Sequence, residues 1–352
     1  EERSFGPGYN RSAPRSPMEE KKPAPFRFRA LDWHRGLAVL VMIECHALVL
    51  LEPALDQHPL RLWLNGINGL VAPSFIFAAG FSLAMVMARA AVDPAGRRER
   101  AFRSLVRICE VLLVANLLKW QLWPVQKDPS WWLRVDILSC IAYSLLVLWA
   151  FVFAGGNRPR AISAAMAALG ILVFAASPWT ETVTGGGPLR HFVNNRTASP
   201  FPFLPWAGYA FLGAALGGLM SIPEKGLTLT VRGLVAMFAL GTAVAWGGPV
   251  LSKIYPWDVW FLTNAGERIW RVAAIALVLV GVEQFGSRKG FAMRNPVTWV
   301  LEFYGTQSLS VFYFHIMLLC GWTFTIQFDG FLWIRTVGNL HHKCGWGAFW
   351  GV

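Results

Sequence analysis

Residues 29–46, RALDWHRGLAVLVMIECH, place Arg29, Asp32, His34 and Arg35 ahead of an apolar run that only Glu44 and His46 interrupt. Such a stretch reads as a helix entering a bilayer. Charges stand at one mouth, an apolar body follows, and the ionisable groups at depth face a bundle interior or a wet cavity because exposure to lipid is costly. The pattern recurs along the chain. From Gly36 onward, apolar runs alternate with short polar breaks. Spans are expected at roughly 36–52, 66–88, 105–123, 133–154, 161–177, 204–221, 231–250, 268–285 and 303–326, with a tenth beginning near Gly345. The expected fold class is all-α, a polytopic transmembrane helix bundle of about 9–11 spans at roughly 20 residues each.

Composition agrees with that reading. Of 352 residues, 55% are apolar and 15% charged, whereas a soluble chain averages about 25% charged. Disordered and collagen-like chains are excluded, and an ordinary soluble enzyme is disfavoured. The net charge of +12 would point to nucleic acid in a soluble protein. Here inner loops rich in Lys and Arg account for it, and no nucleic-acid partner is expected. With the N-terminus placed inside, 21 of the 32 Lys and Arg fall in inner segments, and the 89–107 loop with Arg97, Arg98, Arg100 and Arg103 is the strongest inside marker. The N-terminus is therefore expected in the cytoplasm, and the Ala, Gly and Arg richness points to a bacterial inner membrane.

Residues 1–30 form a polar tail without the apolar core of a secretory leader, and residues 31–352 form the membrane domain. A tail of this composition is disordered alone, so a protein partner at residues 1–30 is an expectation. The five Cys form no CxxC pair, and phosphate loops of the GxxxxGK[ST] or GxGxxG type are missing. The pair His341-His342 lacks companions at ligand spacing, and no metal is expected.

Arg35 and His46 are eleven positions apart, close to three full helical turns. They share one face about 16 Å apart, and Asp32 joins that face through its i, i+3 relation to Arg35. A His at this depth can act as general base toward a hydroxyl or amine, and an Arg at the mouth can hold an anionic donor such as the phosphates of coenzyme A. The same residues equally suit a hydrogen-bonded core His and an Arg marking the interface. His315 is spaced with Tyr304 and Ser308 as if on one polar stripe, and Arg107 with Glu110 as an i, i+3 bridge. Asn65 and Asn68 lie near an outer mouth and are candidate acceptor contacts. Glu267, Arg268 and Arg271 open a later span from the outside, as contacts for an acidic glycan or as an interfacial ion cluster.

The Arg35-(ten residues)-His46 spacing resembles the Arg-X10-His signature of the acyltransferase type 3 family. LDWHRGLAVLVMIECHAL (31–48) resembles the first helix of the heparan-α-glucosaminide N-acetyltransferase-like proteins. LNGINGLVAPSFIFAAGFSLAM (64–85), LPWAGYAFLGAALG (204–217) and NPVTWVLEFYGTQSLSVFYFHIML (295–318) resemble later helices, in order. The chain is thus similar to the transmembrane acyl transferase superfamily. The resemblance implies an integral membrane enzyme that moves an acyl group, acetyl above all, from cytoplasmic acyl-CoA to a hydroxyl or amine of a glycan, a lipid-linked acceptor or another membrane or periplasmic acceptor. It implies His46 as the catalytic His on the type 3 pattern. On the heparan pattern, a His ahead of Trp-Asn-Gly points to His58 before Trp63-Leu64-Asn65-Gly66. Asp32 and His315 would support the chemistry. Arg35, Arg97, Arg98, Arg100 and Arg103 would meet the CoA phosphates. Asn65, Asn68, Arg268 and Arg271 would meet the acceptor. The expectation of another class is a catalytically silent subunit on the same fold, structural in a larger membrane complex, motivated by the tail and by the imperfect His58 motif.

Overall fold

A computed structural model of the chain describes residues 28–48, 58–90, 96–126, 129–154, 158–183, 187–194, 197, 199–221, 227–246, 264–289 and 295–320. Residues 1–27 of the tail, the His341-His342 pair and the tenth span expected near Gly345 lie outside the described residues.

Among the described residues the chain is helical, with no strand. In order the helices are α1 (Arg29–Leu48), α2 (Pro59–Asn68), α3 (Val71–Ala90), α4 (Arg97–Gln126), α5 (Ile137–Ala154) and α6 (Pro159–Ala175). The one-turn helices α7 (Ser177–Thr180) and α8 (Arg190–Val193) precede α9 (Phe203–Met220), α10 (Leu227–Trp246), α11 (Ala265–Lys289), α12 (Pro296–Thr306) and α13 (Ser308–Cys320). Four stretches of the described residues are long and apolar enough to cross a membrane: Pro59–Ala88, Pro129–Ala154, Phe203–Met220 and Ala265–Gly286. The protein is an all-α polytopic membrane protein. α1 and α4 are not among the four. Both carry charged residues along their length, and both line the cavity described below.

Three expected boundaries move. The span expected at 66–88 is interrupted at Gly69 and Leu70, where α2 ends and α3 begins. α2 has no buried residue; it sets Leu60, Trp63 and Ile67 on one side and Arg61, Asn65 and Asn68 on the other. The loop expected at 89–107 is helical from Arg97. Its charges favour the helix rather than break it, because Arg103 pairs with Glu99 at i, i+4 and Arg107 with Glu110 at i, i+3 and 2.7 Å. At 1.5 Å per residue, α4 is about 45 Å long against a hydrocarbon core of about 30 Å. The span expected from 303 is broken at Gln307, whose φ of −101° and ψ of 18° leave the helix. α12 runs antiparallel to α1, with Gly36 on Leu301 and Gly305 on Asp32. α13 then returns along α1 to bring His315 to His46. Tyr304 therefore does not continue the stripe of Ser308 and His315.

Glycine faces set the helix spacing. A Cβ at Gly80 would collide with the Ala210 carbonyl, one at Gly213 with the Phe77 carbonyl, and one at Gly217 with the Phe81 carbonyl. α3 and α9 thus run side by side in the same direction, backbone against backbone, as small residues permit in membrane bundles. Phe77, Phe81, Phe174 and Phe211 fill the space around this contact, each fully buried. Gly36 and Gly305 do the same for α1 and α12, where a Cβ would run into the Leu301 and Asp32 carbonyls. Gly213→Val is expected to destabilise the protein by about 3 kcal/mol, the upper range of overpacking costs. Gly281→Ala, with open space around its Cβ position, is expected to leave thermal unfolding in detergent unchanged or slightly raised.

Candidate functional site

Two histidines meet where the end of α1 faces α13. His46 Nδ1 lies 2.7 Å from His315 Nε2, with the two rings 16° from parallel. His315 Nδ1 lies 2.9 Å from the Val311 carbonyl one turn earlier. A carbonyl only accepts, so His315 Nδ1 carries its hydrogen and, in a neutral ring, Nε2 is the acceptor. His46 Nδ1–H then donates to it, and the His46 lone pair sits on Nε2. This is the tautomer that a general base needs, fixed by the partner ring. Phe312 sets its ring edge-on to His315, 5.5 Å between centroids at 74°. Next to it, the Tyr313 hydroxyl donates to Gln121 Oε1 of α4 at 2.7 Å.

A cavity of about 800 Å³ opens between α1, α3, α4, α5 and α13; neither histidine lines it, and Phe312 joins its wall to His315. Four arginines line it: Arg35, Arg100, Arg103 and Arg107, with Ser82, Ser104 and Ser308 among them. Its remaining wall is apolar and includes Phe75, Leu83, Ile108, Val111, Ile141 and Phe312. The spacing of Arg100, Arg103, Ser104, Arg107, Ile108 and Val111 is that of one helical face, which gives the cavity its graded wall. Arg35 donates to the Ala78 carbonyl of α3 at 3.2 Å, and Asp32 and Arg107 are its electrostatic neighbours. The exposed Arg103–Glu99 and Arg107–Glu110 pairs hold weakly, as surface pairs do, so both guanidiniums can turn to an anion. Ser308, Phe312 and His315 share one face of α13, so Phe312 stands between the cavity and His315.

The other expected site residues divide. Arg97 turns away and donates to the Phe153 carbonyl, and Arg98 is exposed; neither lines the cavity. His58 is exposed and caps α2, its Nδ1 accepting from the Leu60 N–H at 3.3 Å ahead of Pro59 at the first helical position. Arg268 and Arg271 belong to a buried ion cluster. Arg271 pairs with Glu267 at 2.6 Å and bonds Tyr209, while Arg268 lies over the Phe174 ring at 5.9 Å. Gly69, at the end of α2, packs on the Arg271 guanidinium, which brings the α2 asparagines to the same end of the bundle. Asn65 is exposed and Asn68 half-buried, with both amide atoms of Asn68 buried. Among the described residues, no group of three or more His, Cys, Asp or Glu is placed to hold a metal ion.

Sequence reasoning treated His46 and His315 separately and read Arg107 only as half of a bridge. Arg107 was recoverable, since it follows Arg100 and Arg103 at helical spacing once α4 is known to start at Arg97. The pairing of His46 with His315 and the Tyr313–Gln121 bond join distant parts of the chain and leave no local mark.

The family model of the heparan-α-glucosaminide N-acetyltransferase catalytic domain matches residues 27–238, more than half of the chain. The chain belongs to this family. Its helices α1 to α9 and most of the cavity wall lie within the matched residues, and the family carries a membrane acetyltransferase-type function. The end of α10 and all of α11, α12 and α13, including His315, lie beyond them. No curated protein and no solved structure matches the chain.

In this acetyltransferase-family chain, Glu267 is the carboxylate between two buried arginines. Glu267→Ala is expected to cost about 3–5 kcal/mol, as removal of one partner of a buried pair does. Arg98→Ala is expected to stay within about 0.5 kcal/mol. Thermal unfolding of the purified variants checks both.

Proposed function

We propose that the protein transfers an acetyl group from acetyl-CoA to a hydroxyl or amine acceptor, with His46 as general base. The amine of a glucosaminide is the first acceptor to test, as the family's description indicates. The observation that supports the reading is an arginine-lined cavity whose wall includes Phe312, the ring that stands edge-on to His315 of the His46–His315 pair. Coenzyme A is a polyanion joined to a long thioester arm. Arg35, Arg100, Arg103 and Arg107 suit its phosphates through charge-assisted hydrogen bonds, and the apolar wall suits the arm. The excess of Lys and Arg on the same end of the bundle supports placing this mouth in the cytoplasm.

The chemistry runs without a metal. As the acceptor oxygen or nitrogen bonds to the thioester carbonyl carbon, its proton passes to His46 Nε2. The tetrahedral adduct expels the CoA sulfur, and His46 returns the proton to it. The products are the acetylated acceptor and free CoA thiol. His315 is the positioning residue: its Nε2 accepts from His46 Nδ1–H, holds the ring and stabilises the transient imidazolium.

Two outcomes follow. Arg100→Ala and Arg103→Ala are each expected to weaken acetyl-CoA binding about tenfold or more, the worth of a charge-assisted hydrogen bond, while Arg98→Ala binds as wild type. Titration of the detergent-purified protein reads this directly. His46→Ala is expected to retain acetyl-CoA binding and lose about 10²- to 10⁴-fold in transfer to a glucosamine acceptor. Unchanged transfer in His46→Ala would remove it from the reaction.

A further inference from the structure

We propose that Phe312 limits the transferred group to a short acyl chain; this rests on the cavity being the acyl-CoA site. Three observations meet at this side chain. Phe312 lines the cavity, so its ring is a wall of the space that receives the thioester arm. Its ring also stands edge-on to the His315 imidazole, 5.5 Å between centroids at 74°. The face of α13 that runs from Ser308 in the cavity to His315 passes across it. A thioester arm that passes from the cavity toward the His46–His315 pair therefore meets the Phe312 ring on its way.

On α1, Val39 and Met42 occupy the face between Arg35 and His46, and they are 0% and 3% exposed. His315 itself is 8% exposed and tied to Val311, and its α13 neighbour Tyr313 is tied to Gln121. The ring is thus held between the His315 imidazole and the cavity. An acetyl methyl needs little room there. Each added methylene of a propionyl or butyryl chain must displace the ring or leave the thioester short of His46. A well-packed wall resists such additions, and each methylene changes discrimination by roughly tenfold or more.

The test measures displacement of radiolabelled acetyl-CoA by acetyl-, propionyl- and butyryl-CoA, on full-length wild type, Phe312→Leu and Phe312→Ala. Wild type is expected to bind butyryl-CoA at least about tenfold more weakly than acetyl-CoA. Phe312→Ala is expected to erase that difference, and Phe312→Leu to fall between. Phe312→Leu, which keeps an apolar side chain of similar bulk, decides the matter if Phe312→Ala does not fold. Equal discrimination in the variants and wild type, with acetyl-CoA still bound, overturns the role of Phe312 alone. So does a wild type that binds all three thioesters equally. Failure of wild type to bind any of them overturns the acyl-CoA reading of the cavity and this inference with it.

Discussion

The hydrogen bond between His46 and His315 joins side chains 269 positions apart at 2.7 Å, and much of the bundle serves to make it possible. α13 must lie along α1, close to its far end. That requires the chain to turn back at Gln307 after α12 has run antiparallel down α1. It also requires α12 to approach α1 closely, which Gly36 and Gly305 allow because neither carries a Cβ to meet the opposing carbonyl. Once α13 is in place, the Val311 carbonyl fixes the His315 tautomer, and that tautomer fixes the one on His46. A backbone carbonyl on one helix thus decides where the lone pair of a histidine on another helix resides.

The second constraint is electrostatic. Arginines at a membrane mouth cost little when they reach water, and they are costly when buried without a counter-charge. The protein uses both situations. Around the cavity, Arg103 and Arg107 are exposed and paired with Glu99 and Glu110 on their own helix. At the start of α11, Arg268 and Arg271 are buried beside Glu267, Tyr209 and Phe174, where they hold helices together. Residues of one type stand in two settings, and burial separates them.

The helical membrane architecture was legible from the spacing of apolar runs, because hydrocarbon-length segments leave a strong linear signal. Arg35, Arg100 and Arg103 were legible as charges beside apolar runs, and the structure places all three on the wall of one cavity. His46 and His315 were each visible as ionisable groups at depth. Their contact was not, because hydrogen bonding between distant helices leaves no periodicity. The break at Gln307 was missed because Thr306-Gln307-Ser308 contains neither Gly nor Pro, the residues that ordinarily mark a helix stop. The helical start of α4 was missed because a run of arginines reads as a loop until the i, i+4 pairing with Glu99 is counted. Arg97 and Arg98 lie off that cavity wall, which charge density alone does not reveal because it says nothing about which face of a helix each residue occupies.

The proposed transfer needs the phosphates held by the cavity arginines while the reacting carbonyl reaches His46. An experimental structure of the protein with a non-hydrolysable acetyl-CoA analogue tests it most directly. The diphosphate is predicted within hydrogen-bond distance of the Arg35, Arg100, Arg103 and Arg107 group, with the carbonyl carbon beside His46 Nε2. An analogue seated elsewhere, or one whose carbonyl points away from the His46–His315 pair, would contradict it.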